Sequence, residues 1–322
     1  MRKPLLQLFL YLLAPVVLAA CVLLGPEGFA LPDSSTPLGR ALLELRLLRV
    51  AAALIVGAGL ASSGAVLQAL LRNPLADPFV LGVSGGGALG GALVIFLGWS
   101  TLHVLALPAA AFLAALGALF LVYRLASRQG VVSVYGLILS GVVVSSMFAS
   151  VLMLLLTFAG DRMPPIIFWT FGSLLVTDTS LLLACGSCVA VAFLVVWLLS
   201  RELNALTLGR DMAHHLGVRT ELVVALALGA ATLAAASTVA LCGVIGFVGL
   251  IVPHAVRSLV GADHRRLLPA AAVAGGVFLA VCDTFARLVA APLELPVGVI
   301  TALTGGPFFL VLLRRRKQTW LE

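Results

Sequence analysis

Residues 47–71 read LLRVAAALIVGAGLASSGAVLQALL, and Arg49 is their only charged residue. A transmembrane helix needs about 20 consecutive apolar residues to cross a hydrocarbon layer about 30 Å thick, so this stretch is long enough to span a membrane. The rest of the chain has the same character. Of its 322 residues, 62% are hydrophobic and 10% are charged, whereas roughly 25% of the residues in a soluble domain carry charge. The sequence therefore predicts an all-α integral membrane protein.

Short polar breaks divide the chain into ten apolar runs. Their approximate bounds are 5–24, 47–71, 79–98, 103–123, 131–158, 178–199, 221–241, 243–259, 268–290 and 296–313. Each run is predicted to be one transmembrane helix of a single domain that covers residues 1–322. The residues from 25 to 45 include Gly, Pro, Asp, Ser and Thr and are predicted to form a loop.

The distribution of positive charge orients the predicted spans. If the N-terminus is cytoplasmic, the outer side receives five of the 20 lysines and arginines, and the inner side receives the other fifteen. The outer five are Arg40, Arg46, Arg49, Arg162 and Arg287. Cytoplasmic loops carry the excess of Lys and Arg, so both termini are predicted to be cytoplasmic. The net charge of +7 does not indicate nucleic-acid binding, because no basic stripe is interleaved with aromatic residues.

Two cysteine patterns in the apolar runs have a simple interpretation. The sequence that ends at Cys21 resembles a lipoprotein cleavage box, but the basic start and an apolar run of about 20 residues are sufficient for a retained span. We therefore predict that Cys21 is not lipidated. Cys185 and Cys188 have the spacing of a redox motif, yet both lie in a predicted span, so they are interpreted as small apolar packing residues.

The chain shows no motif for catalysis or for cofactor binding. Neither of its lysines, Lys3 and Lys317, follows a glycine loop of the kind that holds ATP phosphates. The chain is therefore not expected to be an enzyme or to hydrolyse ATP itself. No metal-binding cluster is predicted, and the adjacent His214 and His215 are interpreted as part of a contact surface.

Few ionisable residues fall deep inside the predicted spans. Asp283 and Arg287 are four residues apart on one helical face, so they can pair. Together with Glu294 they are predicted to lie near the outer mouth. A proton- or sodium-driven carrier is expected to contain more intramembrane charges than these.

Two sets of motifs resemble those of a known family. The first half contains Arg46-Leu-Leu-Arg49-Val, Ser63-Gly-Ala-Val-Leu-Gln68 and Arg72-Asn-Pro-Leu-Ala-Asp-Pro-Phe-Val-Leu-Gly-Val-Ser84-Gly. The second half contains further motifs of the same family at 206–218, 246–257, 263–269, 283–287 and 294–309. This set resembles FecCD-type permeases, which are subunits of binding-protein-dependent ABC importers for ferric siderophores, haem and cobalamin. The resemblance extends over nearly the whole chain from about Arg40.

The resemblance implies the partners and the cytoplasmic contact site. In such importers two permease copies form a pathway in the inner (plasma) membrane, each copy seats one ATPase, and a periplasmic protein delivers the cargo. The segment Asn204–Val218 resembles the coupling helices that contact the ATPase. Its candidate contact residues are Leu206, Gly209, Arg210, Ala213, Leu216 and Gly217, and Gly209 and Gly217 are expected to act as breaks in the segment.

Two further sites are implied by matching positions. Arg46, Arg49 and Arg287 resemble outer-face arginines that dock the binding protein. The alternatives are that Arg46 and Arg49 are interface anchors and that Arg287 pairs with Asp283. Ser84, Gly85 and Gly86 match the inner constriction of the pathway. Gly85 stands where the cobalamin member has Asn, so it offers no side chain for a gate.

The cargo and two other classes of function stay open. Iron–siderophore is the first choice, because it is the most populous branch of the family, and haem and cobalamin follow. Selectivity in this family lies largely with the binding protein, which is a separate chain. An ion-coupled secondary carrier would transport cargo without an ATPase. A membrane-embedded scaffold or enzyme would need catalytic groups that the predicted spans do not show.

Overall fold

Helices account for most of the chain. The computed structural model describes residues 2–25, 28–101, 103–128 and 131–319. Its α-helices are α1 (Arg2–Leu23), α2 (Pro37–Leu70), α3 (Val83–Leu97), α4 (Ala106–Ala126), α5 (Val134–Thr157), α6 (Met163–Phe171), α7 (Thr179–Leu198), α8 (Ser200–Thr207), α9 (Arg210–His215), α10 (Thr220–Cys242), α11 (Val248–Val260), α12 (His264–Leu288) and α13 (Val297–Thr319). Two pairs of two-residue antiparallel strands close turns, Leu24–Gly25 with Gly28–Phe29 and Ser127–Arg128 with Val131–Val132. The helical fold predicted from composition is confirmed.

Each predicted span corresponds to an apolar helix. Within the described chain, seven helices are long and apolar enough to cross a membrane: α1, α2, α4, α5, α7, α10 and α12. Shorter apolar helices, namely α3, α11 and the first part of α13, occupy the other three predicted spans. The number of crossings and the side on which each terminus lies stay predictions, because length and composition alone do not establish them.

The predicted loop at residues 25–45 is wrong in its second half. α2 begins at Pro37, ten positions before the predicted start at 47. The hydroxyl of Thr36 accepts a hydrogen bond from the Gly39 amide at 3.0 Å and caps the helix. Pro37 suits the first helical position, because the N–H that proline lacks would be unpaired there. The polar residues that follow do not interrupt the helix, because a helix that leaves the lipid no longer needs an apolar surface.

The backbone is not helical between α10 and α11, at the start of the predicted span 243–259. Gly243 (φ 71°) and Phe247 (φ 68°) have positive φ angles, so α11 starts at Val248 and the predicted start at 243 is wrong. The segment packs against another break, since the Ser173 amide donates to the Cys242 carbonyl at 2.8 Å. Non-helical backbone is tolerated at membrane depth only where protein or a cavity satisfies it.

Glycines bring α2 into close contact with its neighbours. A Cβ atom on Gly57 would overlap the carbonyl of Gly275 in α12, and one on Gly64 would overlap the carbonyl of Gly249 in α11. Small residues allow helix backbones in lipid to approach and gain dispersion energy. This packing makes α2 the central helix of the bundle.

Buried thiols fill gaps between these helices. Cys21, Cys185, Cys242 and Cys282 are buried, and all of them are free. The packing role predicted for Cys185 is consistent with this burial. The backbone carbonyl of Cys21 accepts a hydrogen bond from Arg287 at 3.3 Å, which joins the end of α1 to the end of α12.

Candidate functional site

The segment predicted to contact an ATPase folds into two short helices with glycine breaks. α8 ends at Thr207, and Gly209 (φ 118°) separates it from α9. Gly217 (φ 83°) then ends the segment before α10. Both φ angles lie in the region that favours glycine over other residues. The two predicted breaks are therefore present in the structure.

The coupling segment, residues 204–218, has one buried face and one exposed face. Leu206 and Ala213 are buried against the bundle, with 4% and 0% of their surface exposed. Leu208, Met212 and Leu216 are 66%, 52% and 61% exposed. Leu208 and Met212 were missed by the sequence analysis. The four-residue spacing of large apolar side chains in a segment predicted to lie in water was the available signal.

Contacts with α10 hold the coupling segment in place. Arg210 Nη1 lies 3.8 Å from Glu221 Oε1 at the start of α10. A cavity of about 570 Å³ remains between the segment and the ends of α2, α5 and α10, and its lining includes Leu70, Arg72, Val134, Met212, His215 and Val224. The segment is therefore attached through its inner face, while Leu208 and Met212 line this cavity and stay more than half exposed, as does Leu216.

At the opposite end of α2, four charged side chains form one network. Arg49 donates from Nη1 and Nη2 to both carboxylate oxygens of Glu294, at 2.8 and 2.6 Å. Arg49 Nε is 3.7 Å from Asp283, and Asp283 accepts from Arg287 Nε at 3.1 Å. The network alternates in charge and is neutral. It connects α2, α12 and the loop before α13.

Burial distinguishes the members of this network. Arg49 and Arg287 are each 5% exposed, and Asp283 is 4% exposed. The side chain of Glu294 is 49% exposed. The hydrogen bonds from Arg49 hold the pKa of Glu294 below its ordinary value, so this carboxylate is ionised at neutral pH. Glu294 is thus the member of the network that solvent reaches.

The three arginines predicted to dock a binding protein have partners within the chain. Arg46 Nη1 donates to the carbonyls of Ala30 and Val22 at 2.9 and 3.2 Å, which ties α2 to the end of α1. The Asp283–Arg287 pair expected from their spacing is present. Docking through Arg46, Arg49 and Arg287 stays a prediction, and an acidic partner has to compete with these internal acceptors.

The three residues predicted to form the inner constriction have different surroundings in the first turn of α3. Ser84 is 2% exposed. A Cβ atom on Gly86 would lie 2.7 Å from the Ala114 carbonyl oxygen, so Gly86 packs tightly on α4. Gly85 is only partly buried and faces Phe148 of α5. The role of these residues in a constriction stays a prediction.

Comparison with known proteins gives the family. The model of the FecCD transport family matches residues 10–315.

The chain belongs to the FecCD transport family.

Two curated relatives of this FecCD permease are transport permeases. Over 293 residues it is 42% identical to the cobalamin import system permease protein BtuC of Halobacterium salinarum, with 91% of this chain and 78% of that protein covered. Over 288 residues it is 41% identical to the hemin transport system permease protein HmuU of Yersinia pestis, with 86% of this chain and 84% of that protein covered. The likeness therefore extends over most of each chain.

A solved structure supports the same assignment. It is described as an inward-facing conformation of a metal-chelate type ABC transporter, and it matches this FecCD permease with a TM-score of 0.85 at 34% identity. The match covers 97% of this chain and 99% of the other. The FecCD permease is thus a membrane subunit of an ABC importer in the inner membrane, and permeases of this kind are not themselves enzymes.

Proposed function

We propose that this FecCD permease forms a homodimer that carries a metal chelate across the inner membrane, powered by a separate ATPase and supplied by a periplasmic binding protein. Iron–siderophore is the first-choice cargo, and haem and cobalamin are the alternatives. Each copy crosses the membrane ten times and keeps both termini in the cytoplasm. The observation that carries the proposal is the exposed apolar face of the coupling segment.

This exposed apolar face is well suited to a protein partner in the cytoplasm. Leaving Leu208, Met212 and Leu216 in water costs roughly 25 cal/mol for each Å² of apolar surface, and contiguous exposed apolar patches mark interaction sites. The proposed occupant is the ATPase, because the sequence contains no phosphate-binding loop of its own. The buried Leu206 and Ala213 attach the other face to the bundle, so a displacement of the segment reaches the helices.

Substitution of this face tests the proposal. We expect Met212→Asp combined with Leu216→Asp to weaken ATPase binding by about tenfold or more, since central interface residues commonly contribute more than about 1 kcal/mol each. Ser258→Asp is the matched control, because it adds a carboxylate at an exposed position near the end of α11, outside the coupling segment. Affinity is measured by titrating the purified permease with the ATPase, and uptake is followed in reconstituted vesicles.

Two results would contradict the proposal. Equal weakening by Ser258→Asp would show that added charge, and not the apolar face, controls binding. Vesicles that hold only the permease and still accumulate cargo would show that no ATPase is needed. The second result would favour the ion-coupled carrier. The neutral network that Asp283 and Glu294 form with two arginines does not favour that alternative.

The outer docking site and the inner constriction complete the proposal. A binding protein with acidic residues docks at Arg46, Arg49 and Arg287. In the complex, its carboxylates replace the acceptors with which these arginines pair in the free permease. The first turn of α3 at residues 84–86 narrows the inner end of the pathway. The partly exposed Glu294 supports the first statement, because it is the acceptor that an incoming partner can reach.

A further inference from the structure

A single side-chain amide joins α8 to the start of α12. Asn204 Nδ2 donates to Asp263 Oδ1 at 2.7 Å. Asn204 Oδ1 accepts from the His264 backbone amide at 2.9 Å and lies 2.7 Å from His264 Nδ1. These contacts join Asn204 to residues that follow it by 59 and 60 positions in the chain. Asn204 therefore clamps the first of the two coupling helices to the N-terminus of a long helix.

The chemistry of the contacts determines how the amide is oriented. The backbone N–H of His264 can only donate, so the atom that faces it must be the amide oxygen of Asn204. Because that oxygen carries no proton, His264 Nδ1 must donate as well. Asp263 caps α12 by accepting from the Arg265 amide at 3.1 Å, and the bond from Asn204 lowers the pKa of the Asp263 carboxyl. A residue that lacked either the donor or the acceptor would break part of this clamp.

Asn204 supplies the polar attachment of α8. The hydroxyl of Thr207, by contrast, donates within α8, to the carbonyl of Asn204 itself, at 2.6 Å. Leu203 is fully buried in the same apolar cluster as Leu268 of α12. The apolar contact resists separation of the two helices, and the directional hydrogen bonds of Asn204 resist sliding and rotation.

α12 extends from this clamp to the charged network at the other end of the bundle. It contains 25 residues and is about 37 Å long at 1.5 Å per residue. Its first residue, His264, contacts Asn204, and Asp283 and Arg287 near its last turn belong to the network with Arg49. In between, Gly275 packs directly on the backbone of α2. These contacts form a continuous connection from α8 through α12 and α2 to the charged network.

We propose that Asn204 is the positioning residue that transmits movement of the coupling segment through α12 to the outer charged network. This inference rests on the proposed function, because it assumes that the ATPase moves the coupling segment. Asn204 does not need to touch the ATPase or the cargo. It acts by holding the inner end of α12 to α8 when the segment moves.

An exchange of two side chains tests this role. Asn204→Asp places a carboxylate against that of Asp263 and removes the donor, so we expect cargo transported per ATP hydrolysed to fall about tenfold, within the range typical of coupling between two sites. Asp263→Asn, added to the same chain, restores a donor opposite the new carboxylate and keeps a good helix cap. The double variant is expected to return to within about twofold of the wild-type ratio.

The measurements separate this inference from the proposed function. Vesicles with the permease, its ATPase and its binding protein receive a ferric hydroxamate siderophore, haem and cobalamin in parallel, and ATP hydrolysis, uptake and ATPase affinity are recorded. Ser258→Ala is the control, because this exposed hydroxyl bonds to the Ala255 carbonyl within α11 and lies outside the coupling segment. Wild-type coupling in Asn204→Asp, or no recovery in a folded double variant, overturns the inference. Loss of ATPase affinity in the Met212 and Leu216 variants is a separate readout, so the proposed function is judged independently.

Discussion

Arg49 is a buried cation whose main partner, Glu294, is half exposed to water. A guanidinium that is 5% exposed is stable only while carboxylates compensate it, and removing one partner of a buried pair typically costs about 3–5 kcal/mol. The buried Asp283 compensates part of the positive charge of Arg49 from inside the bundle. Glu294 supplies the part that a partner protein can replace. Whether the network is only structural, or also docks a binding protein, therefore depends on this one residue.

We expect Glu294→Gln to accelerate association with an acidic binding protein several-fold and to increase its salt dependence, because the rim then has a net positive charge. Glu44→Gln is the matched control, since this exposed residue on α2 also loses one negative charge, whereas the partners of Arg49 are Asp283 and Glu294. The association rate is measured by stopped flow over a salt series. Equal effects of the two variants would show that net charge, and not release of Arg49, controls docking.

The difference in docking between the wild type and Glu294→Gln is expected to depend on pH. Because Arg49 lowers the pKa of Glu294 below the ordinary value of 4.5, the wild-type carboxylate is still ionised at that pH. The stabilisation by this pair is therefore present above pH 4.5 and is lost as the pH falls through the lowered pKa. The wild type should approach the behaviour of Glu294→Gln only in that acidic range.

Among the helices, α11 and α13 are held together by a ring that packs on a glycine. Phe247, just before α11, has a positive φ of 68°, a conformation that is strained for a bulky residue. A Cβ atom on Gly305 of α13 would lie 2.5 Å from the Cγ and Cδ1 atoms of this ring. The ring of Phe247 thus occupies the space that a side chain at position 305 would need. The neighbouring Gly306 faces open space.

These two glycines provide a matched pair for a stability test. We expect Gly305→Ala to lower the free energy of unfolding by about 1–3 kcal/mol, because the added methyl group has to displace Phe247. Gly306→Ala is expected to change the free energy of unfolding by less than about 1 kcal/mol, because the helix preference of alanine is opposed by the restriction that Pro307 places on the residue before it. Thermal unfolding of the purified variants in detergent measures both. Identical melting temperatures of the two variants would show that Phe247 can move aside without any loss of stability.

For the whole molecule, the charge distribution leads to a definite orientation. Fifteen of the 20 lysines and arginines lie on the side predicted to be cytoplasmic, and that side also carries the coupling segment. The loop before α2 and the turn before α6 are then periplasmic. The predicted orientation keeps the cationic loops on the cytoplasmic side, where the excess of Lys and Arg is normally found.

Labelling of single cysteines from one side of the membrane tests this orientation. In spheroplasts, a membrane-impermeant maleimide should label Ser35→Cys and Asp161→Cys, and it should label Thr207→Cys and His214→Cys only after permeabilisation. All four positions are exposed. The unmodified chain serves as the control for its own thiols, most of which are buried. Labelling of all four from the same side would refute the predicted topology.

The sequence by itself determined the features that depend on local composition. The apolar runs, the charge bias and the motifs indicated a helical membrane protein, its family and the glycine breaks at 209 and 217, because solvent preference and backbone conformation act over a few residues. The tertiary structure decided where charges meet. Arg49 and Glu294 are 245 residues apart, and Asn204 and His264 are 60 apart. Such pairings depend on the rotation, tilt and depth of each helix, which are set by packing against all its neighbours and leave no periodic signal in the sequence.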